Sequence, residues 1–171
     1  MLYKLIRRLI MHMKKSKFLN CGKGVIFDPL SSYFSYQTIS VGDGSYIGPN
    51  ASFSSTHSKI KIGKNVMFGP SVHIFGGNHI VDQVGVQMSS VMKKKGDIDP
   101  DVVVCDEAWV GGGAIILTGV TIGRGAIIGA GSVVTKSVKP YSISGGNPCH
   151  FIKMRFTEDE IKEHEKALYR K

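Results

Sequence analysis

Residues 104–139 read VCDEAW, VGGGAI, ILTGVT, IGRGAI, IGAGSV, VTKSVK when cut into sixes. An aliphatic residue opens every block: Val104, Val110, Ile116, Ile122, Ile128 and Val134. The fifth place is small or short-branched: Ala108, Ala114, Val120, Ala126, Ser132 and Val138. A period of six is neither the 3.6 of an α-helix nor the alternation of an ordinary strand. It belongs to short strands stacked with regular corners between them. Stacked aliphatic side chains contribute roughly 1.5–3 kcal/mol each when fully buried, so such a rod has a core although every strand is tiny. Gly111, Gly123 and Gly129 fall at the second place, where a side chain is expected to strain a corner.

The rhythm extends towards the N-terminus. It runs VGDGSY, IGPNAS, FSSTHS from Val41, is interrupted by three inserted residues expected at 59–61, and resumes at Ile62 as IGKNVM, FGPSVH, IFGGNH. Residues 18–40 carry glycines, Pro29 and a Ser/Tyr/Phe run, and predict an imperfect first coil. Residues 80–103 have no period and predict a protruding loop, which in a compact domain is usually functional or disordered. Ile74 and Val104 are thirty residues apart, a multiple of six, so the loop leaves and rejoins the rod in phase. Lys93, Lys94 and Lys95 at its tip suit either a phosphate-bearing ligand or plain solvation. Near the C-terminus, Thr157 and Glu160 form a capping box, and the thin apolar stripe that follows predicts a peripheral end cover.

The chain has 171 residues, 21 of them glycine, and 42% are apolar, which fits one turn-rich globular domain. Three scattered cysteines form no disulfide framework and suit a reducing cytoplasm. Of 22 basic residues, six fall in residues 1–17 without any acid: Lys4, Arg7, Arg8, Lys14, Lys15 and Lys17. The rest of the chain holds 16 basic against 13 acidic residues, a balance that argues against a broad nucleic-acid surface. In 1–17, Leu2, Leu5, Ile6, Leu9, Ile10 and Met13 recur at helical spacing. Two readings compete for this amphipathic helix: a cap on the open end of the rod, and peripheral contact with an anionic membrane. No run is long enough to span a bilayer.

FGGNH at 75–79, EAWVGGGAIILTGVTIGRGAIIGAGSVVTKSV at 107–138 and PYSISGGNPCHFIKMRF at 140–156 resemble the hexapeptide-repeat acyltransferases, in their xenobiotic and polysaccharide O-acetyltransferase branch. The likeness covers roughly residues 39–156. It implies a mainly β protein, a left-handed parallel β-helix at 21–151; the spacing and the capping box add an N-terminal helix in 1–20 and a C-terminal tail and helix in 152–171. It implies three hexapeptides per coil, with 41–58, 62–79, 104–121 and 122–139 as coils. It also implies a homotrimer with active sites between subunits, acetyl-CoA as co-substrate, and no metal.

Acetyl transfer to a hydroxyl needs a base, and an imidazole is the side chain that ordinarily titrates near neutrality. By resemblance that base is His79. Asn78, Asp82, Trp109 and His57 are expected around the acceptor, with Asp82 a candidate to orient the imidazole. Backbone N–H groups of Gly76, Gly77 or Gly111 to Gly113 are candidates for the oxyanion. The coenzyme is expected along Gly112, Ala130, Thr135 and Lys153. His150 stands where related enzymes carry Lys or Arg, and Lys136 and Arg155 are candidate substitutes. The expected activity is acetyl transfer from acetyl-CoA to a sugar hydroxyl, in cytoplasmic synthesis of a surface polysaccharide. The alternatives are an antibiotic acetyltransferase, a non-catalytic trimeric scaffold, and a zinc enzyme built on His57, His73 and His79.

Overall fold

The computed structural model describes residues 2–92 and 98–169; Lys93, Lys94 and Lys95 lie outside the described residues. Helix α1 (Leu2–Lys15) is followed by five coils of three short strands. The first coil holds β1 (Asn20–Cys21), β2 (Ile26–Phe27) and β3 (Tyr33–Phe34), and the second β4 (Ile39–Val41), β5 (Tyr46–Ile47) and β6 (Ser52–Ser54). The third holds β7 (Ile60–Ile62), β8 (Met67–Phe68) and β9 (His73–Phe75). After the loop come β10 (Val102–Val104), β11 (Trp109–Val110) and β12 (Ile115–Ile116), then β13 (Thr121–Ile122), β14 (Ile127–Ile128) and β15 (Val133–Val134). Like strands of successive coils pair in parallel, giving three sheets. The second sheet gains β16 (Ser142–Gly145) beside β14 and an antiparallel β17 (His150–Met154). Helix α2 (Glu158–Tyr169) ends the described chain.

The first place of each six points inward. Val104, Val110, Ile116, Ile122, Ile128 and Val134 are all buried, as are Val41, Ile47, Phe53, Ile62, Phe68 and Ile74. Residues 18–40 do form a coil, though an irregular one: Cys21 pairs with Val41, 20 residues on, and Phe34 with Phe53, 19 on. Val41 pairs with Ile62, 21 residues on, against 18 between Val104 and Ile122. Three residues are therefore inserted, as expected, but not at 59–61. Ile60 and Lys61 belong to β7, and the bend falls at 56–58. Val104 pairs with Ile62 across 42 residues, so the loop adds 24 to the 18 of a regular coil.

Glycines at the second place serve close approach rather than backbone conformation. A Cβ on Gly111 would lie 2.5 Å from the Ala130 amide nitrogen of the next coil, and one on Gly123 2.4 Å from Pro140 N. Gly129, at the same place, has nothing nearer than 3.6 Å. Positive φ belongs instead to the fourth place, at Glu107, Gly113, Gly119, Gly125 and Gly131.

The cap reading of α1 holds only in part: the helix seats on the terminal coil, with Met11 packed against the core, but its apolar stripe faces away from the rod. Phe18, buried, closes the end of the rod, with its ring 5.4 Å from Phe27 and 4.8 Å from Tyr36. Helix α1 lies against the first coil through Arg7, Met11 and Lys14. Lys14 Nζ donates to Pro29 O (2.6 Å), Arg7 Nε lies 3.6 Å from Asp28 Oδ1, and Phe27 N–H donates to Met11 Sδ (3.5 Å). Leu2, Leu5, Ile6, Leu9 and Met13 are exposed. Helix α2 begins with the expected capping box, Thr157 N–H on Glu160 Oε2 (2.8 Å) and Glu160 N–H on Thr157 Oγ1 (3.3 Å). It covers a side of the rod rather than its end. His164 meets Glu107 at 3.3 Å, Glu165 accepts from Tyr141 Oη at 3.1 Å, and Tyr169 lies under Arg124.

Candidate active site

Where β9 ends, the chain stays on the ladder for one more residue, Gly76 N–H donating to Ser54 O (2.7 Å). Then it turns outward through Gly77, Asn78 and His79. Two buried serines hold the turn: Ser55 Oγ contacts Ser58 Oγ at 2.9 Å, and Ser58 Oγ donates to Gly76 O. Only glycine fits at Gly76, where a Cβ would lie 2.8 Å from both Ser55 Cβ and Ser58 Oγ of the two buried serines; at Gly77 it would meet only the movable Asp99 carboxylate, at 2.9 Å. The first glycine of GGNH is therefore a packing requirement at the turn that leads to His79.

His79 is exposed on a cavity of about 300 Å³, and Asn78 and the half-buried His57 line the same cavity. Ser54, Ser55, Thr56, Phe75 and Met92 complete much of its wall. Asp82 is exposed and is not part of this lining. The carboxylate that does line it, Asp99, was missed in the sequence. Its N–H donates to His57 O (2.9 Å), so the returning loop is pinned to the bend at 56–58. Asp101 secures the same return: its carboxylate accepts from Lys59 N–H and from Lys61 Nζ, both at 2.7 Å. Those bonds hold its pKa below the ordinary carboxylate value, the Lys61 bond most. A second cavity of about 720 Å³ shares Ser55 and Thr56 and is lined by Ser16, Lys17, Ser35, Tyr36, Gln37 and Thr38. This hydroxyl-rich run also carried no signal in the repeat.

Of the candidate oxyanion amides, Gly76, Gly111 and Gly113 are spent on the carbonyls of Ser54, Ile128 and Pro70. Gly77 and Gly112 are the two with no such backbone partner among the described residues.

The coenzyme candidates fall in four places. Thr135, Lys136 and His150 line one cavity of about 530 Å³ with Ser142, Ser144 and Phe151. Its cation and small hydroxyl walls fit a phosphate-bearing, narrow chain. Lys153 is exposed on β17, outside that lining. Gly112 and Ala130 sit on the edge between the second and third sheets, after β11 and β14. Arg155 is turned elsewhere, donating to Gly125 O (3.3 Å) and lying 4.5 Å over the Phe156 ring. Trp109 is half-exposed on the outer face of the second sheet, in register with Met67 and Ile127. His79, on the edge between the third and first sheets, faces a different side. His73 stacks on Phe75 (6.2 Å) and is not part of the His79 cavity lining. Among the described residues no group of three His, Cys, Asp or Glu side chains is placed to hold a metal ion.

A rod of stacked hexapeptide coils with a histidine delivered to one edge defines a β-helical transferase. Residues 101–136 match the bacterial transferase hexapeptide family (six repeats). The galactoside O-acetyltransferase of Lactococcus lactis subsp. lactis is 30% identical over 157 residues, 91% of this chain and 72% of that protein. The solved maltose O-acetyltransferase of Clostridium difficile 630 superposes with a TM-score of 0.74 at 31% identity, covering 90% of this chain and 84% of that one. A chloramphenicol acetyltransferase of Klebsiella aerogenes is 49% identical over 61 residues, 36% of this chain but 29% of that one. A hexapeptide-repeat acetyltransferase of Vibrio cholerae, solved with acetyl-CoA, superposes at a TM-score of 0.74 and 26% identity over 86% of this chain and 76% of that one. The chain belongs to the hexapeptide-repeat acetyltransferase family. It is a left-handed β-helical, acetyl-CoA-dependent acyltransferase.

Proposed function

We propose that this enzyme O-acetylates a sugar hydroxyl in the cytoplasmic assembly of a surface polysaccharide, as a homotrimer, with His79 as general base. The observation that carries this reading is an exposed imidazole at the mouth of a cavity walled by serine and threonine hydroxyls and one carboxylate. His79 accepts the proton of the attacking hydroxyl as its oxygen bonds to the thioester carbonyl carbon. The amide of Gly77 or Gly112 receives the oxyanion. As the C–S bond breaks, the imidazolium returns its proton to the leaving sulfur. Asn78, Asp99, Ser54 and Thr56, which line the cavity, supply partners for sugar hydroxyls. The two adjoining cavities give room for more than one ring.

The division of the candidates among different faces supports the trimer. One protomer cannot turn Trp109, Gly112 and Ala130 towards its own His79, whereas a neighbouring copy can present them. The exposed apolar ladder Ile26, Tyr46, Met67 and Trp109 on the second sheet suits such an interface. A drug acceptor is the second reading, favoured by the 49% identity to the chloramphenicol enzyme. That match covers 61 residues, too few to span both the cavity residues 16–56 and the coenzyme residues 112–136. The galactoside O-acetyltransferase match spans both.

The test is thiol release from acetyl-CoA with a panel of nucleotide sugars, oligosaccharides and antibiotics. A sugar should be the preferred acceptor, and His79→Ala should slow transfer roughly 10²–10⁴-fold with the oligomer intact. Full turnover by that variant removes His79 from the reaction; preference for an antibiotic replaces the acceptor class.

A further inference from the structure

Helix α1 presents its most apolar face to solvent although it is firmly seated on the rod. At about 100° per residue, Arg7, Met11 and Lys14 fall within about 60° of one another on the seated face. Leu2, Leu5, Leu9 and Met13 cluster on the opposite side, about 200° from Arg7. None of the helix residues is buried, and Leu2, Leu5, Leu9 and Met13 are each at least 60% exposed. An apolar stripe of this kind marks an interaction surface rather than packing.

The charges beside the stripe indicate what covers it. The helix contains five basic residues and no acid. Arg7 and Lys14 are engaged by Asp28 and the Pro29 carbonyl. Lys4, Arg8 and Lys15 remain, and the wheel places all three on one flank, between the seated face and the stripe. An apolar stripe edged by cations, on a helix parallel to the surface, is complementary to a lipid interface with anionic headgroups. Among the described residues no helix is long and apolar enough to cross a bilayer, so the contact lies along the surface. Seating on the rod also removes the usual entropic penalty: a free 14-residue helix is marginal in water, and here it is already formed.

We infer that α1 is a membrane-surface anchor: Leu2, Leu5, Ile6, Leu9 and Met13 enter the interface of an anionic leaflet, and Lys4, Arg8 and Lys15 engage its headgroups. The anchor is independent of the acetyl-transfer chemistry, since none of these residues lines the His79 cavity.

The experiment is co-sedimentation of the full chain with vesicles of phosphatidylcholine alone and of phosphatidylcholine mixed with phosphatidylglycerol. Light scattering in solution and acetyl transfer to a soluble acceptor are measured alongside. The protein should bind the anionic vesicles and not the neutral ones, and salt should weaken binding. Each cation removed should lower partitioning about fivefold, so Lys4→Gln/Arg8→Gln should weaken it about 25-fold by the same scale. Leu5→Ser/Leu9→Ser should abolish it. Transfer and oligomeric mass should be unchanged in both variants. Failure of the parent protein to bind anionic vesicles overturns the inference. So does a smaller oligomer in Leu5→Ser/Leu9→Ser, which would mean that a second copy covers the stripe.

Discussion

Gly111 and Gly129 occupy the same place in neighbouring repeats of the second sheet, yet alanine should affect them in opposite ways. A Cβ on Gly111 would meet Ala130 N at 2.5 Å, Ala130 Cα at 2.8 Å and Ile128 O at 2.8 Å. Comfortable contact begins near 3.5 Å, so the shortfall is about 0.7–1 Å. All three atoms are backbone of the next coil, and no side chain can swing aside. The only relief is to part the coils, which stretches the 2.8 Å bond from Gly111 N–H to Ile128 O. Overpacking costs about 1–3 kcal/mol and a weakened hydrogen bond about 1 more, so Gly111→Ala should lose about 2–4 kcal/mol. At Gly129 the nearest atoms are 3.6 Å away and φ is not positive. There alanine meets no clash and restricts the unfolded chain, for a gain of about 0.4–1 kcal/mol. Equilibrium urea unfolding followed by circular dichroism, at one fixed protein concentration, measures both. Equal stability of the two variants would refute the claim that close approach of coils, and not backbone conformation, requires the second-place glycine.

Other outcomes follow from the same geometry. Asp101 has its pKa lowered by Lys61 and the Lys59 amide, so its contribution is full above the unfolded value near pH 4 and is lost as pH falls through the lower folded value. Hydrogen exchange at the Lys59 amide should rise in that acid window, and Asp101→Asn should show the faster exchange already at neutral pH. Tyr141 is the opposite case: burial and then its bond to Glu165 push its pKa up to about 12. Its contribution is full below the unfolded value near 10 and is lost as pH rises through the folded one. Proteolysis of α2 should therefore accelerate in alkali, and Tyr141→Phe should cost about 1 kcal/mol at neutral pH. On the proposed intersubunit site, mixed oligomers of His79→Ala and Trp109→Ala chains, made by joint refolding, should recover activity that neither variant has alone. Absence of recovery would place both residues in one protomer's site.

The rod was legible because its signal is local and repeated. Every first-place aliphatic from Val104 to Val134 is buried, and coil membership follows from counting by six. What failed was what depends on direction or on chain return. The wheel of residues 1–17 reveals an apolar face but not which way it turns, and Phe18, just past the helix, had already closed the end. Counting three residues on from His79 selects Asp82, whereas the loop brings back Asp99, twenty residues away, by its amide bond to His57. The inserted triplet was displaced to 59–61 because Ile60 and Ile62 both point inward in a three-residue strand, which the six-residue count does not anticipate. His79 was singled out through the resemblance, and His57 by its place one coil away on the same face; both line the cavity. The hydroxyls of Ser35, Thr38 and Ser55 were not singled out, since serine in a corner looks like any turn residue.

The 24 extra residues between β9 and β10 start and finish on adjacent rungs, so the prism neither widens nor skips where they depart. Length and composition of that excursion are thereby uncoupled from folding of the column. A different segment could be grafted between His79 and Asp99 without touching a single ladder bond on either side. On the proposed reading of the cavity, its outer wall can thus be exchanged like a cassette, while His79 and the column stay put.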